Sequence, residues 1–316
     1  TLTTISEDDT NNSGQLISAI VTTDITDIDG GAVEGIAITS LNSSNGTWEY
    51  DTGSGWTAVG AVTNTSALLL RATDSLRFVP DGANSDSASV TYRAWDQTSG
   101  TAGNKETTAS NGGTTAFSTA TDTASITVTA VNDAPVLDNS GNMVLTDIAE
   151  DDTGSAGDTV AAIISSAGGD RITDVDTGAV EGLAVIGVDD SNGTWQYDAG
   201  SGWTAFGAVT NTSAVLLDTT SSIRFVPDAS YTGSAGDITF RAWDTTSGSD
   251  GDTAVDVSTN GTTTAYSTDT ETATLTVTGV NDAPVLTPST PTLTTISEDD
   301  TNNSGQLISA IVTTDI

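Results

Sequence analysis

The sequence predicts an all-β protein made of tandem antiparallel β-sandwich units. Short runs of alternating apolar and Thr/Ser residues are separated by turns rich in Gly, Asn, Asp and Ser, which is typical of a sandwich. One such run closes with residues 131–137, VNDAPVL, and the same letters return at residues 280–286. The tryptophans recur at a spacing of about 150 residues, which is the size of a domain and far longer than one solenoid repeat.

The elements of the first unit follow from local patterns. Residues 15–22 are apolar and β-branched and predict a strand, as do residues 36–41. Asn45-Gly46 predicts a hairpin turn, and Trp48 follows on a strand of period two, which favours a place in the core over a sugar-binding platform. Further strands are expected at residues 68–71, 76–79, 89–95 and 125–131.

The linkers and the repetition set the predicted boundaries. The Pro of VNDAPVL removes a backbone donor and keeps the preceding residue extended, so pairing stops there and the chain passes to the next unit. We expect a first β-sandwich repeat at residues 1–134, a second at 135–283 and a truncated start of a third at 284–316. Residues 292–316 repeat residues 1–25, and we expect their apolar side chains to add a strand to an exposed sheet edge, in this or a neighbouring molecule. The repeated start also suggests that the natural N-terminus is missing.

Two loops differ between the units more than the strands do. Residues 97–115 and 245–264 are rich in Gly, Thr and Ser. They are predicted to be surface excursions without a fixed role.

Charge narrows the classes of partner. The chain has 43 acidic residues, 7 basic residues and no His, for a formal net charge of −36. Nucleic acid requires a basic surface, so it is not an expected partner, and direct contact with an anionic membrane is disfavoured for the same reason. Calcium is an expected partner, because so many carboxylates repel one another unless a cation offsets them. The neighbouring repeats of the same chain are the other expected partners.

The residue types that are missing argue against an enzyme. Without His and Cys the chain lacks the commonest general bases, nucleophiles and transition-metal ligands. Paired carboxylates could serve a glycosidase, but solvated, metal-bound acids would lack the raised pKa that a general acid needs. The absence of Cys also fits an exported bacterial chain.

Acidic positions recur at matching places in the two units and predict metal ligands. Calcium takes six to eight oxygens, and an Asp-x-Asp at a strand end directs two carboxylates to the same side. A single Asp of this kind more often forms a turn, but the whole recurrent set, with few bases to pair with, favours calcium. The candidate ligands are Glu7, Asp27, Asp29, Asp81, Asp96, Asn132, Asp133, Glu150, Asp174, Asp176, Asp228, Asp244, Asn281 and Asp282.

The order of these motifs resembles the cadherin-like tandem repeats of giant bacterial RTX-type surface adhesins. The family's early Glu, Asp-x-Asp, mid-domain acid, Ala-x-Asp and closing linker correspond to Glu7, Asp27-x-Asp29, Asp81, Ala94-x-Asp96 and Asn132-Asp133-Ala134-Pro135. The mid-domain motif is here a lone Asp after Pro, and the linker lacks the family's second Asn. The resemblance implies an Ig-like or cadherin-like sandwich, an elongated monomeric rod, export by type I secretion and a place on the bacterial cell surface.

The resemblance also implies how calcium is shared between units. The joint between the first two units would combine residues of the first unit, the linker and the second unit, namely Glu7, Asp81, Asn132, Asp133, Asp174, Asp176 and Asp244. One complete joint and two partial ones are expected. The function implied is that of a structural extender which calcium makes rigid. The alternatives are a glycan- or protein-binding adhesive module and a surface-layer or fibre protein.

Overall fold

The computed structural model describes residues 1–29, 33–288 and 290–312. We use "first unit" for the strands between residues 5 and 129 and "second unit" for those between 136 and 278. The strands of the first unit are β1 Ile5–Ser6, β2 Gln15–Leu16, β3 Gly35–Asn42, β4 Gly46–Asp51, β5 Thr57–Ala58, β6 Ala67–Arg71, β7 Ser75–Pro80, β8 Asp86–Trp95, β9 Lys105–Glu106 and β10 Asp122–Thr129.

The second unit repeats this series without a described counterpart of β9 and adds short strands. Its strands are β11 Val136–Leu137, β12 Met143–Val144, β13 Ile148–Ala149, β14 Asp158–Thr159, β15 Ile172–Thr173, β16 Gly182–Val188, β17 Gly193–Asp198, β18 Thr204–Ala205, β19 Val215–Asp218, β20 Ser222–Pro227, β21 Gly233–Ser234, β22 Ile238–Trp243, β23 Glu271–Thr274 and β24 Thr276–Thr278. The described helices are α1 Ile17–Val21, α2 Val160–Ser166 and α3 Ile308–Val312. None of these described helices has the length and apolar character that a membrane span requires.

Two facing sheets form each unit, which confirms the predicted antiparallel β-sandwich. In the first unit a six-stranded sheet runs β1-β10-β8-β3-β6-β9 and a four-stranded sheet runs β2-β7-β4-β5. In the second unit the corresponding sheets run β12-β23-β22-β16-β19 and β14-β20-β17-β18, with a three-stranded sheet β13-β24-β21 and the pair β11-β15 beside them. Parallel pairing occurs where an early strand joins a late one, as β1 does with β10.

The core of each unit lies between its sheets and is centred on an aromatic pair. Trp48 packs on Phe78 with ring centroids 5.2 Å apart, and Trp195 packs on Phe225 at 5.1 Å. All four rings are buried. Residues along β7 alternate between buried and half-buried, which is the pattern of a strand with one face in the core. The prediction that Trp48 fills the core is confirmed.

The predicted strand over residues 15–22 is wrong beyond Leu16. The chain turns there into α1, which buries Ile17, Ile20 and Val21. These residues are spaced three and four apart, so a single helical turn places them on one face. In the second unit α2 does the same.

The hairpin predicted at Asn45-Gly46 is also wrong. β3 pairs with β6 and β8, whereas β4 pairs with β5 and β7, so the connection passes from one sheet to the other. A Cβ atom at Gly46 would clash with the carbonyl oxygen of Val79 and the ring of Phe78. Glycine is therefore needed at this position for close packing against β7.

The loop after β8 has a structural role that the sequence did not reveal. Trp95 donates its indole N–H to the carbonyl oxygen of Ser99 at 2.7 Å, and Phe117 packs with Trp95 and Leu69 in a second, smaller core. The larger sheet is therefore covered on its outer face as well. The second unit has the matching cluster around Trp243, so the prediction of a loop without a fixed role is wrong.

The described part of the last segment, residues 292–312, pairs with no strand of this chain. Leu293, Ile296, Leu307 and Ile308 in this segment are exposed, and Ile311 and Val312 are half-buried. The expected addition to a sheet edge is therefore wrong within the chain, and pairing with a neighbouring molecule stays a prediction. Residues 313–316 lie outside the described part.

Candidate metal centre

The first unit contributes Glu7 to the joint. β1 runs parallel to β10, and the Glu7 N–H continues this ladder by donating to the carbonyl oxygen of Thr129 at 3.0 Å. The glutamate therefore lies at the end of the sheet, where the linker begins. Its side chain is only 1% exposed, and Oε1 accepts a hydrogen bond from the Val131 N–H at 2.5 Å.

The second unit binds the polar half of the linker through two carboxylates. The Asp133 N–H donates to Asp176 Oδ2 at 2.8 Å, and Asn132 Nδ2 donates to Asp244 Oδ2 at 2.9 Å. These bonds tie two consecutive linker residues to two different loops of the second unit. The linker is thus a bound segment.

The loop after β22 and the strand β15 bind the rest of the linker. The Ala134 N–H donates to the carbonyl oxygen of Thr262 at 2.7 Å, and Asn132 Nδ2 also reaches the carbonyl oxygen of Thr264 at 3.2 Å. Pro135 is buried, and β11 then pairs antiparallel with β15. The linker therefore enters the second unit as an added strand.

Local hydrogen bonds orient the acids of the second unit. The Asp176 N–H donates to Asp174 Oδ1 at 2.8 Å, so the Asp-x-Asp folds back on itself directly after β15. Asp244 follows β22, and its Oδ1 accepts from the N–H and hydroxyl of Thr246 at 2.8 and 2.6 Å. Each carboxylate keeps its second oxygen for the joint.

Three carboxylates from three segments converge. Glu7, Asp133 and Asp176 each place an oxygen within 4.8 Å of the others. Glu7 Oε2, Asp133 Oδ2 and Asp174 Oδ2 are buried without a hydrogen-bond partner. We call Glu7, Asp133, Asp174, Asp176 and Asp244 the joint cluster.

Burial and nearby charge make ionisation of Glu7, Asp133 and Asp174 unfavourable. Burial raises the pKa of the Glu7 carboxyl, and the charges of Asp176, Asp133 and Asp8 add to that effect. Burial likewise raises the pKa of Asp133, with further contributions from Asp176 and Asp8. The pKa of Asp174 is raised by burial and by the charges of Asp176 and Asp244. A nearby cation would reverse these effects.

The protein itself offers the joint cluster no cation among the described residues. Three of the seven basic side chains form ion pairs elsewhere, Arg71 with Asp74, Arg77 with Glu49 and Arg171 with Asp138. The other four donate to backbone or amide oxygens away from the joint, namely Arg93, Lys105, Arg224 and Arg241. The unpartnered carboxylate oxygens are hard donors of the kind calcium prefers, so the residues present fit that ion.

Two predicted ligands, one in each unit, lie in exposed turns. Asp81 is exposed, and its Oδ1 accepts from the N–H groups of Ala83 and Asn84 at 3.1 and 3.0 Å, which makes it a turn former. Asp228 is exposed as well, and its carbonyl oxygen accepts from the Tyr231 N–H at 3.0 Å. The structure does not bring either carboxylate to the joint.

The remaining predicted ligands lie at the two places where partial joints are expected. At the start of the first unit Asp27, Asp29 and Asp96 line one open cavity of about 510 Å³. At the end of the second unit Glu150 is buried and accepts from the Val280 N–H at 2.7 Å, as Glu7 does from Val131. The linker residues that follow, Asn281 and Asp282, are exposed.

Sequence reasoning missed three residues at the joint. Asp8 is close enough to raise the pKa of both Glu7 and Asp133, and its place in the repeated Glu-Asp-Asp was an available signal. Thr262 and Thr264 bind the linker through backbone carbonyls, so their side chains gave no signal.

The positions of the tryptophans argue against the alternative of a sugar-binding face. Trp48 is in the core, and Trp56 is half-buried beneath the Arg77 guanidinium at 4.3 Å. The same stack recurs for Trp203 and Arg224 at 4.2 Å. Trp48, Trp56 and Trp203 therefore do not form a flat exposed platform.

Comparison with known proteins identifies similar folds at low similarity. No protein-family model and no curated protein matches the sequence. Among solved structures, the EC1-2 fragment of human Mucin-like Protocadherin has 12% identity and a TM-score of 0.41, covering 89% of this chain and 98% of its own. The EC21-23 fragment of human CDH23 has 13% identity and a TM-score of 0.41, covering 93% and 80%. The CupB6 tip adhesin from Pseudomonas aeruginosa has 9% identity and a TM-score of 0.23, covering 78% and 86%. The sandwich fold described above rests on the strand pairings of this chain.

Proposed function

We propose that this chain is a structural extender of a bacterial cell-surface adhesin. Its β-sandwich units are held in line by calcium at the joint and project a distal ligand-binding region away from the cell. The observation that supports this best is the joint cluster, in which the first unit, the linker and the second unit each contribute a carboxylate. The motif order, which resembles cadherin-like RTX adhesin repeats, supports the extracellular setting.

The residues of the joint divide the work. Asn132 and Asp133 hold the linker against the second unit through their hydrogen bonds to Asp244 and Asp176. Calcium would be held by carboxylate oxygens of the joint cluster and would supply the positive charge that the described part of the chain lacks there. With the cation the repulsion between the units becomes an attraction shared by three segments, so the joint stiffens.

Further calcium joints would form where units adjoin in a longer protein. Asp27, Asp29 and Asp96 would receive a preceding linker, and Glu150 with the linker at Asn281-Asp282 would meet a following unit. Such a series would make the elongated rod expected from the motif order.

Small-angle X-ray scattering tests this function. We expect a long, sharply defined maximum dimension in millimolar calcium and a flexible profile in excess chelator. Asp133→Ala should give the flexible profile in both conditions, whereas Asp282→Ala, in an identical but exposed linker, should behave as the parent chain does. A profile that ignores calcium would contradict the proposal and would make glycan or protein binding the better explanation.

A further inference from the structure

One short sequence pattern of the chain has no part in the joint. Asn-x-Ser/Thr, the triplet to which enzymes attach N-linked sugars, occurs at two pairs of matching places in the two units. Asn45-Gly46-Thr47 matches Asn192-Gly193-Thr194, and Asn64-Thr65-Ser66 matches Asn211-Thr212-Ser213. The triplet also starts at Asn11, Asn42, Asn260 and Asn302. Because such a pattern arises easily in a chain rich in Ser and Thr, the surroundings of each asparagine decide whether it can carry a sugar.

The first matching pair is held in packed turns. Asn45 is half-buried, and its Nδ2 donates to the carbonyl oxygen of Ser85 at 2.8 Å. Asn192 is half-buried as well, and the glycine that follows it is buried. A Cβ atom at Gly193 would lie 2.5 Å from the ring of Phe225, so the chain lies flush against the unit there. A sugar on either asparagine would have to displace part of the fold.

The second matching pair lies at the tips of two exposed turns. Thr63 and Ser66 exchange backbone hydrogen bonds of 3.2 and 3.0 Å, which leaves Asn64 and Thr65 as a two-residue loop. The matching turn of the second unit, residues 210–213, is closed by the same two hydrogen bonds. In both turns the asparagine and the residue after it are exposed. The triplet is therefore presented on the outside of each unit.

Contacts on the inner side of each turn orient the asparagine amide. The Asn211 backbone carbonyl accepts from the Val257 N–H at 2.7 Å, and Asn211 Oδ1 accepts from Arg241 Nε at 3.1 Å. In the first unit the Thr108 N–H donates to the Asn64 carbonyl at 2.7 Å, and the Thr108 hydroxyl donates to Asn64 Oδ1 at 3.5 Å. The amide oxygen thus faces the protein. Within the described residues Nδ2 of neither asparagine donates a hydrogen bond, so the atom that a sugar would join is unengaged.

Asn260 provides a contrast in the same unit as Asn211. Its Nδ2 donates to the carbonyl oxygens of Val257 and Ser258 at 3.3 and 3.1 Å. The last residue of its triplet is Thr262, whose carbonyl oxygen binds the linker. A sugar on Asn260 would therefore break the loop that holds the linker.

We propose that Asn64 and Asn211 are acceptor sites for an N-linked sugar. The donor is a sugar activated as a diphosphate ester of a nucleoside or of a lipid. Nδ2 forms a bond to the anomeric carbon while the bond from that carbon to the diphosphate oxygen breaks. The diphosphate leaves with the electron pair, and one Nδ2 proton passes to a base of the transferring enzyme. The amide oxygen keeps its inner contacts, so the turn is unchanged in the product.

The modification goes beyond the proposed function and does not depend on calcium, because neither turn belongs to the joint cluster. Peptide mass spectrometry of the protein taken from the cells that make it tests the assignment. We expect peptides with Asn64 and Asn211 to carry sugar and those with Asn45, Asn192 and Asn260 to be bare. An amidase that removes N-linked sugars converts each modified asparagine to Asp, so digestion in heavy-oxygen water marks the sites. Bare Asn64 and Asn211 would overturn the proposal.

A transfer reaction on the purified chain separates accessibility from the sequence preference of the enzyme. The probe is UDP-glucose with a glucosyltransferase that reads Asn-x-Ser/Thr, and a synthetic peptide for each triplet gives the rate of an unfolded acceptor. Folded Asn64 and Asn211 should react about as fast as their peptides. Asn45 should be slower than its peptide by about tenfold or more, because it must first break a hydrogen bond and leave its packed turn. Equal slowing of all three would contradict the assignment.

A pair of variants tests whether the triplet selects the site. Ser66 closes its turn through backbone groups, so Ser66→Ala and Ser66→Thr both keep the fold. Ser66→Ala should abolish transfer to Asn64 and leave Asn211 unchanged, whereas Ser66→Thr should keep both. Sugar on Asn64 in the alanine variant would mean that the triplet is not what is read. The rates should be the same in calcium and in chelator, so a failure of the calcium joint would leave this result standing.

Discussion

Asp133 and Asp282 occupy the same place in two identical linkers, yet their surroundings differ. Asp133 is half-buried beside Glu7 and Asp176, whereas Asp282 is exposed. We expect Asp133→Ala to weaken the tightest calcium site by about 10–100-fold or more, since even residues that only support a metal ligand contribute that much. Asp282→Ala should leave that site unchanged. Isothermal titration calorimetry measures both, and equal losses would mean that the linker sequence alone binds calcium.

Tyr92 gives a test of the first unit in alkaline solution. Burial raises the pKa of Tyr92 to about 12, and the negative charge of Asp122 is the next cause. The Tyr92 hydroxyl donates a hydrogen bond to Asp122 Oδ2 at 3.2 Å. The folded state therefore keeps the phenol protonated at a pH where the unfolded chain, with a pKa of about 10, has already lost the proton. Stability from this group is complete below about pH 10 and is lost as the pH rises towards 12.

The matched variant for that test is supplied by the second unit, where Phe240 stands at the position of Tyr92. Tyr92→Phe should fold and should lose this part of the fall in stability between about pH 10 and 12. Denaturant titration at several pH values, with the absorbance of tyrosinate followed in parallel, measures it. An unchanged alkaline fall in the variant would contradict the assignment.

The assignment of these residues to calcium stays a prediction at the scale of the residue. The order of motifs placed Glu7, Asp133 and Asp176 in one joint, and the structure brings an oxygen of each within 4.8 Å of the others. It could not exclude Asp81, because a carboxylate that binds its own turn and one that faces a joint look alike in sequence. The hydrogen bonds to Ala83 and Asn84 decide that question, and they depend on the turn after β7.

The two short helices offer a test at the level of the element. Thr159 caps α2, and its Oγ1 accepts from the Ala162 N–H at 3.2 Å. The matching residue of α1 is Leu16, which provides no side-chain cap. We expect Leu16→Thr to stabilise the first unit and Thr159→Leu to destabilise the second, each by about 1 kcal/mol.

Calorimetry can follow the two changes as opposite shifts of the melting temperature. Leu16 is exposed, so its replacement opens no cavity. Leu16→Ala is the control, because it shortens the side chain without adding a cap and should not stabilise. If Leu16→Thr and Leu16→Ala both stabilise the first unit, the exposed leucine, and not the missing cap, is what destabilises it.

Elements with a regular pattern were predictable, and those set by distant partners were not. The strands β6, β7, β8 and β10 were predicted from short apolar or alternating runs, with boundaries a few residues off. A helix of five residues, three of them β-branched, is too short to show a period, so α1 was mistaken for a strand. β4 pairs with β7, which lies about thirty residues farther along the sequence, and no local turn signal could reveal that pairing.

At the scale of the whole molecule, repulsion between acidic groups decides whether the joint is rigid or flexible. The net charge of −36 is spread over a chain whose few basic groups are engaged elsewhere. Monovalent salt screens exposed charges over about 10 Å at 0.1 M, but it screens a buried cluster much less. We therefore expect added sodium chloride to leave the joint flexible in chelator and added calcium to stiffen it. Stiffening by salt alone, seen in the scattering profile, would mean that general repulsion and not the joint cluster sets the shape.

The two linkers also allow the joint to be probed by proteolysis. A protease that cleaves beside Asp meets the same local sequence at Asp133 and at Asp282, so its chemical preference cancels. Cleavage requires the segment to leave its surroundings, and residues 131–137 are hydrogen bonded to the second unit, whereas residues 280–286 are exposed.

In calcium we expect Asp282 to be cut quickly and Asp133 at least about tenfold more slowly, because opening the joint then also requires release of the ion. In chelator the rate at Asp133 should rise towards that at Asp282, while the rate at Asp282 stays the same. Mass spectrometry of the fragments over time separates the two sites. A joint that is rigid without calcium would protect Asp133 in both conditions, and a joint that calcium does not lock would leave it open in both.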